Sequence, residues 1–185
     1  VEKERYLNTR GEYYPEFDIE AVFRAVLRRE GLNNPFLVES CCKLFRMLSR
    51  ERFRLYPDSL EALKEIKSHS LPMAMLSNAQ NVFFLAEIDM LGLRQFFSYY
   101  IVSSTWGFRK PDPRLFSVAC TLFKVQPEEA IYIGDDAEVD VRGAQSIGMQ
   151  TALIDRRQDQ KDRGPKPDYY TVNLRNIWEW LGESI

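Results

Sequence analysis

The sequence predicts an α/β protein, a Rossmann-like parallel sheet core with a small helical part ahead of it. Two observations predict it. From Asp58 onward, short and continuously apolar runs alternate with helical patterns, which is how strands buried on both faces of a parallel sheet read. Before Pro57 the periodicity is helical, with no strand-like run. The division gives a helical part over 1–56 and an α/β part over 57–185.

In the helical part, Asp18 suits an N-cap. IEAVFRAVLRRE follows, with Ile19, Val22, Phe23, Val26 and Leu27 on one face and Gly31 at the end. A second apolar helix covers about 36–48. In the α/β part, strands are predicted at 72–76 (PMAML), 99–103 (YYIVS), 130–133 (AIYI) and 150–154 (QTALI), with a short fifth at 169–172 on an edge. Helices are predicted at about 59–67, 81–91, 113–123, 137–146 and 174–181. Pro113 suits a first helical turn, and Gly92 and Gly148 stand where the chain must leave a helix. Residues 155–168 (DRRQDQKDRGPKPD) read as a polar loop.

Composition excludes several classes of function. Apolar residues make up 45% of the 185, including 12 Phe, 9 Tyr and 3 Trp, so the chain can build a core and wholesale disorder is excluded. The 27 acidic and 25 basic side chains are scattered, which offers no cationic field to nucleic acid or an anionic membrane. No apolar run approaches the roughly 20 residues of a membrane helix, and no signal-like segment stands at the visible start. The unpatterned Cys41, Cys42 and Cys120 suit a reducing compartment, so a cytoplasmic protein is expected. Cys41 and Cys42 fall on an apolar helix as core or dimer-face residues, and a monomer or homodimer is expected. His69, the only histidine, sits in a polar Ser-His-Ser turn. Histidine-rich zinc sites are thereby excluded, and a Ser-His-Asp triad would hang on a solvated side chain.

In an open parallel sheet, ligands gather beyond the carboxyl ends of the strands. Three such ends are polar here. Ser77 and Asn78 follow PMAML, Arg109 and Lys110 lie beyond YYIVS, and Gly134, Asp135 and Asp136 follow AIYI with Asp140 one turn later. Singly, each has an ordinary structural role, as a helix cap for Ser77, Asn78 or Asp136 and as a loop cation for Lys110. Capping does not account for a glycine before two carboxylates with a third at Asp140. Carboxylates brought close repel one another unless a cation or proton intervenes. Their hard oxygens suit Mg²⁺, which usually takes one or two protein carboxylates plus phosphate oxygens. A hydroxyl, N–H groups at a helix start and a lysine supply what a phosphoryl group binds. The inventory points to metal-assisted phosphoryl transfer.

LSNA at 76–79, RKPDP at 109–113 and IGDDAEVD at 133–140 resemble, in order, the second, third and fourth motifs of the haloacid dehalogenase (HAD) superfamily of hydrolases. LYPDSLEAL before the first strand and GAQSIGM at 143–149 are similar to it as well. The resemblance covers about Leu55 to the end, and the helical part resembles the family's cap domain. It implies that Ser77 and Asn78 bind the transferring phosphate and that Lys110 steadies charge on nucleophile and phosphate. It also implies that Asp135, with Asp136, binds Mg²⁺ and that Asp140 supports metal and lysine. The implied activity is that of a Mg²⁺-dependent phosphatase working through an aspartyl-phosphate.

One motif of that family is not found. Its members attack with the first aspartate of a DxD-type motif at the end of a first core strand that lies mid-sheet, and the second aspartate is the acid/base. No apolar strand ending that way precedes Leu76, and Asp18-Ile-Glu20, the nearest imitation, follows Pro15 and a polar approach and leads into an amphipathic helix. The expectation is that the first core strand is missing from these residues. Its nucleophile would lie upstream of Val1 in a longer active enzyme, with the 185 residues alone inactive.

Other readings stay open. A 2-haloacid dehalogenase needs no metal. A phosphonatase would need a cap lysine, for which Lys43 is the candidate although it reads as solvent-facing. A phosphomutase and a catalytically degenerate binding module are also compatible. A phosphoacceptor receiver domain is disfavoured, because Lys110 precedes Asp135. Trp106 and Phe108 read as packing under the cap.

Overall fold

The computed structural model describes residues 14–160 and 163–184. Residues 1–13 of the helical part, 161–162 of the polar loop and Ile185 lie outside the described residues. The order of elements is α1 (Ile19–Arg29), α2 (Pro35–Ser49), α3 (Ser59–Ser68), β1 (Ala74–Ser77), α4 (Asn81–Met90), β2 (Tyr99–Val102) and the one-turn α5 (Ser103–Trp106). There follow α6 (Pro113–Phe123), β3 (Ile131–Gly134), α7 (Arg142–Gln145), β4 (Gln150–Ile154), β5 (Tyr169–Thr171) and α8 (Ile177–Ser184).

Local chemistry starts the helices where their caps stand. Asp18 accepts from Ala21 N at 3.1 Å and opens α1. Asn34 accepts from Phe36 N at 2.9 Å, with Pro35 in the first turn of α2. Asp112 and Pro113 do the same for α6, where Arg114 N donates to Asp112 at 3.0 Å. Gly92 and Gly148, at φ 68° and 94°, leave their helices through the left-handed region, which glycine enters without penalty.

One expected helix is built differently. Residues 137–146 divide into a π-helical turn, Ala137–Val141, and α7. Val141 N reaches back five residues to Asp136 O at 3.3 Å, because Asp140 is drawn under the end of β3.

The strands are all parallel but fall into two groups. β1 pairs with β2 from Ala74↔Tyr99 to Ser77↔Val102. β3 pairs with β4 from Ile131↔Gln150 to Gly134↔Leu153, and β4 with β5 from Ala152↔Tyr169 to Ile154↔Thr171. Among the described residues no ladder joins β1 to β3.

Helices cover both faces. Ala62 and Ile66 of α3 and Ile177 and Leu181 of α8 pack with Ala152 and Ile154 on one side. Phe116 and Cys120 of α6, Ala144 of α7 and Met149 pack with Leu76 and Tyr132 on the other. Phe116 and Leu115 are fully buried, each contributing on the order of 2–3 kcal/mol. The helical part is held by Ile19, Val38 and Cys42 against Val82 and Phe83 of α4. Arg46 and Arg50 add ion pairs to Glu87 at 2.7 and 3.2 Å.

His69 is exposed, yet it is not simply solvated, since its ring stacks on Trp178 of α8 at 3.7 Å. Among the described residues, no helix is long and apolar enough to cross a membrane.

Candidate active site

Asp140 is the centre around which the site is built. β3 ends at Gly134, the chain turns back at once, and Asp140 comes to lie under the strand end with 2% of its surface exposed. A Cβ on residue 134 would overlap the Asp140 side chain, so only glycine admits this approach. Both carboxylate oxygens accept twice. Oδ2 takes the main-chain N–H of Asp135 at 3.0 Å and of Asp136 at 3.2 Å. Oδ1 takes Lys110 Nζ at 2.6 Å and the Tyr132 hydroxyl at 3.2 Å. A buried ion pair is favourable only where the remaining hydrogen-bond capacity is filled, and here it is.

Tyr132 was not legible as a site residue in the sequence. Its ring packs edge-on against Phe116 at 4.9 Å, and its oxygen accepts from Lys110 Nζ at 2.9 Å. Leu76 O of β1 lies 3.5 Å from the same hydroxyl. Burial, then the charge of Asp140, push the phenol well above its ordinary range, so it stays a neutral donor. The available signal was a hydroxyl-bearing side chain in an otherwise aliphatic strand.

Asp135 stands at the open end of β3. Its outer atoms reach solvent, but the crowded strand end withdraws water from the rest, and Asp140 adds like charge. Together they raise the carboxyl above its usual range against the pull of Lys110. Among the described residues, no side chain donates to it. Asp136 does the capping job that the sequence allowed, its Oδ1 accepting from Glu138 N and Val139 N, each at 2.9 Å. Among the described residues no group of three acidic, histidine or cysteine side chains is disposed to hold a metal ion. Mg²⁺ usually takes only one or two protein carboxylates, so an under-neutralised Asp135 beside Asp136 fits it.

Lys110 also joins this cluster to the end of β1. Asn78, next to Ser77, accepts from Lys110 N at 2.8 Å and donates from Nδ2 to Lys110 O at 3.1 Å. Among the described residues the Ser77 hydroxyl has no partner. Ser77, Asn78, Lys110, Asp135, Asp136 and Asp140 are therefore gathered at one end of the strands, with Lys110 as the link.

A second group of side chains escaped the sequence. Segment 14–19 is tied to the loops on both sides of the site. Gln80, 6% exposed, donates to Phe17 O at 2.9 Å and accepts from Ile19 N at 3.1 Å. Glu16 accepts from the Ser103 hydroxyl and from Gln80 Nε2, while Glu16 N donates to Gly107 O at 2.9 Å. Arg109 N donates to Tyr14 O at 2.9 Å. Lys43 faces solvent and pairs with Glu39. Trp106 is exposed, and Phe108 lies under the Arg114 guanidinium at 4.1 Å.

A parallel α/β core with a hydroxyl, a lysine and carboxylates at the strand ends is of the class that binds its ligand at the carboxyl edge of the sheet. Residues 13–154 match the haloacid dehalogenase-like hydrolases, and the chain belongs to that family. It is 35% identical over 166 residues to a phosphoserine phosphatase of Thermus thermophilus, covering 90% of this chain and 65% of that protein. It is 31% identical to a glyceraldehyde 3-phosphate phosphatase of Methanopyrus kandleri, covering 79% of this chain and 63% of the relative. The chain thus spans a little under two thirds of the length of these relatives. The fold is similar to that of a 2-haloacid dehalogenase from Pseudomonas syringae, with TM-score 0.76 and 24% identity over 98% of this chain and 78% of the other.

Proposed function

We propose that the chain is part of a Mg²⁺-dependent phosphatase that hydrolyses a small phosphorylated metabolite through an aspartyl-phosphate. The nucleophilic aspartate and the first core strand are then supplied from upstream of Val1, and residues 14–56 serve as part of a cap over the crevice. The observation that carries this reading is the saturated Asp140 centre, which holds a partly buried lysine beside an under-neutralised Asp135.

Each residue then has a task. The Ser77 hydroxyl and the main chain at Asn78 bind phosphoryl oxygens. Lys110 keeps its ammonium at a set position, where it offsets negative charge growing on nucleophile and phosphoryl group without reorganising during the reaction. Asp140 keeps that ammonium aimed, through its contact with Nζ at 2.6 Å. Asp135, with the remaining oxygen of Asp136, would hold Mg²⁺, which when bound supplies Lewis-acid stabilisation of the transferring group. The reading includes a cytoplasmic protein, monomeric or homodimeric.

A second reading, a metal-independent 2-haloacid dehalogenase, draws on the fold likeness, while the Asp135 and Asp136 pair favours the metal enzyme. Phosphate release from a panel of phosphate esters by the full-length protein tests both. The expected result is release that requires Mg²⁺ and collapses in Asp135→Asn. Metal-free halide release from 2-haloacids would establish the dehalogenase instead. No turnover of either substrate class by the full-length protein would leave a degenerate binding module.

A further inference from the structure

Lys110 is held at both ends. Its ammonium is held by Asp140 and Tyr132, at 2.6 and 2.9 Å. Its own peptide group is held by one side chain from another loop, since Asn78 accepts from Lys110 N at 2.8 Å and donates to Lys110 O at 3.1 Å. A carboxamide that receives and gives across one residue's backbone mimics a rung of sheet pairing and fixes orientation as well as distance. The loop so gripped leads from α5 to α6, and the gripping residue is the immediate neighbour of Ser77.

We propose that Asn78 is a positioning residue, whose carboxamide locks the Ser77 loop to the Lys110 loop so that hydroxyl and ammonium approach the substrate as one unit. The role rests on the phosphatase reading for its consequence in turnover and on geometry alone for the lock itself. It differs from direct phosphate binding by the Asn78 side chain in what occupies the carboxamide, since Oδ1 and one Nδ2 hydrogen are both committed to the Lys110 backbone. Residue type matters at this site. Alanine would release both bonds, whereas aspartate would keep an acceptor for Lys110 N but present a carboxylate oxygen to Lys110 O.

Two measurements on the full-length protein test it. Amide hydrogen exchange reads the lock directly. Exchange at Lys110 N is expected to quicken about tenfold in Asn78→Ala, with protection retained in Asn78→Asp. Unchanged exchange at Lys110 in Asn78→Ala overturns the proposal. Steady-state kinetics read the consequence. Asn78→Ala is expected to lower kcat by about tenfold or more with KM and inhibition by inorganic phosphate nearly unchanged, and to add no further loss in a Lys110→Ala background. A raised KM with weakened phosphate inhibition would make Asn78 a phosphate ligand and overturn the positioning role. Absence of any phosphatase activity in the parent protein would sink the phosphatase reading alone, since the exchange experiment still decides the lock.

Discussion

The two groups of strands differ in how they present chemistry. In the first group β1 ends in a hydroxyl and leads into a loop whose side chains reach outward to neighbouring loops, as Asn78 does to Lys110 and Gln80 to residues 17 and 19. β3 ends in acids that turn inward, with Asp140 folded back onto the N–H groups of its own loop. Lys110 belongs to neither group by pairing and ties both together. Among the described residues no backbone ladder crosses between the groups, side chains carry the connection, and the candidate site lies at that seam.

Breaking the seam is expected to have the largest effect. Lys110→Met leaves Asp140 almost fully buried without its cationic partner, which should cost about 3–5 kcal/mol of stability in urea titration. Turnover should fall by on the order of a hundredfold or more, because a pre-aimed charge is lost.

A tie inside one group makes the comparison. Asp58 joins α3 to the stretch after β4 and to the approach to α8, accepting from Arg156 at 2.9 Å and Leu174 N at 2.6 Å. Asp58→Asn should cost about 2 kcal/mol and leave Lys110 exchange unaltered. Burial alone would raise this carboxyl, but the bonds from Arg156 and Leu174 outweigh it and hold the carboxyl below its usual range. A depressed folded value stabilises above the ordinary carboxylate range and loses that contribution as pH falls through the folded value. The penalty of Asp58→Asn should therefore be full at neutral pH and shrink in acid.

Tyr132→Phe keeps the ring against Phe116 and removes only the hydroxyl shared by Lys110 and Asp140. About 1 kcal/mol of stability and a severalfold drop in kcat are expected. A variant as active as the parent would make Tyr132 a packing residue.

The smallest effect has the opposite sign. The Asp135 carboxyl is raised by its crowded surroundings and by Asp140, so its protonated form is the one the fold favours. Charging it at neutral pH opposes folding. Asp135→Asn should raise the metal-free melting temperature slightly, by about 2 °C, with the gain vanishing as pH falls into the range where the parent residue is protonated. Mg²⁺ should raise the melting temperature of the parent and not of Asp135→Asn. Equal responses would remove Asp135 from the metal reading.

Much of this was written in local residue patterns. The runs at 72–76, 99–103, 130–133 and 150–154 became β1 to β4 with ends shifted by at most two residues, since strands packed under helices carry mostly apolar side chains, although only β4 is buried along most of its length. Asp18, with a polar approach before it and an amphipathic run after it, was legible as a cap because capping depends on neighbours two or three residues away. Asp140 and Lys110 could be singled out by order along the chain, but not their partners. The helix expected over 137–146 became a π turn because Asp140 answers to Lys110, thirty residues earlier, and not to helical periodicity.

By itself, the sequence determined the α/β class, the caps and the residue types at the strand ends, all of them set by hydrophobic period and short-range hydrogen bonding. Only the tertiary structure decided that Tyr132 turns a core ring into a polar contact, that Asn78 commits its carboxamide to the backbone of Lys110, and that Gln80 and Glu16 tie the helical part to both loops. Those roles rest on groups 8 to 87 residues apart meeting within hydrogen-bonding distance. No local pattern encodes such meetings, because a polar side chain's partner is chosen by what packing brings beside it.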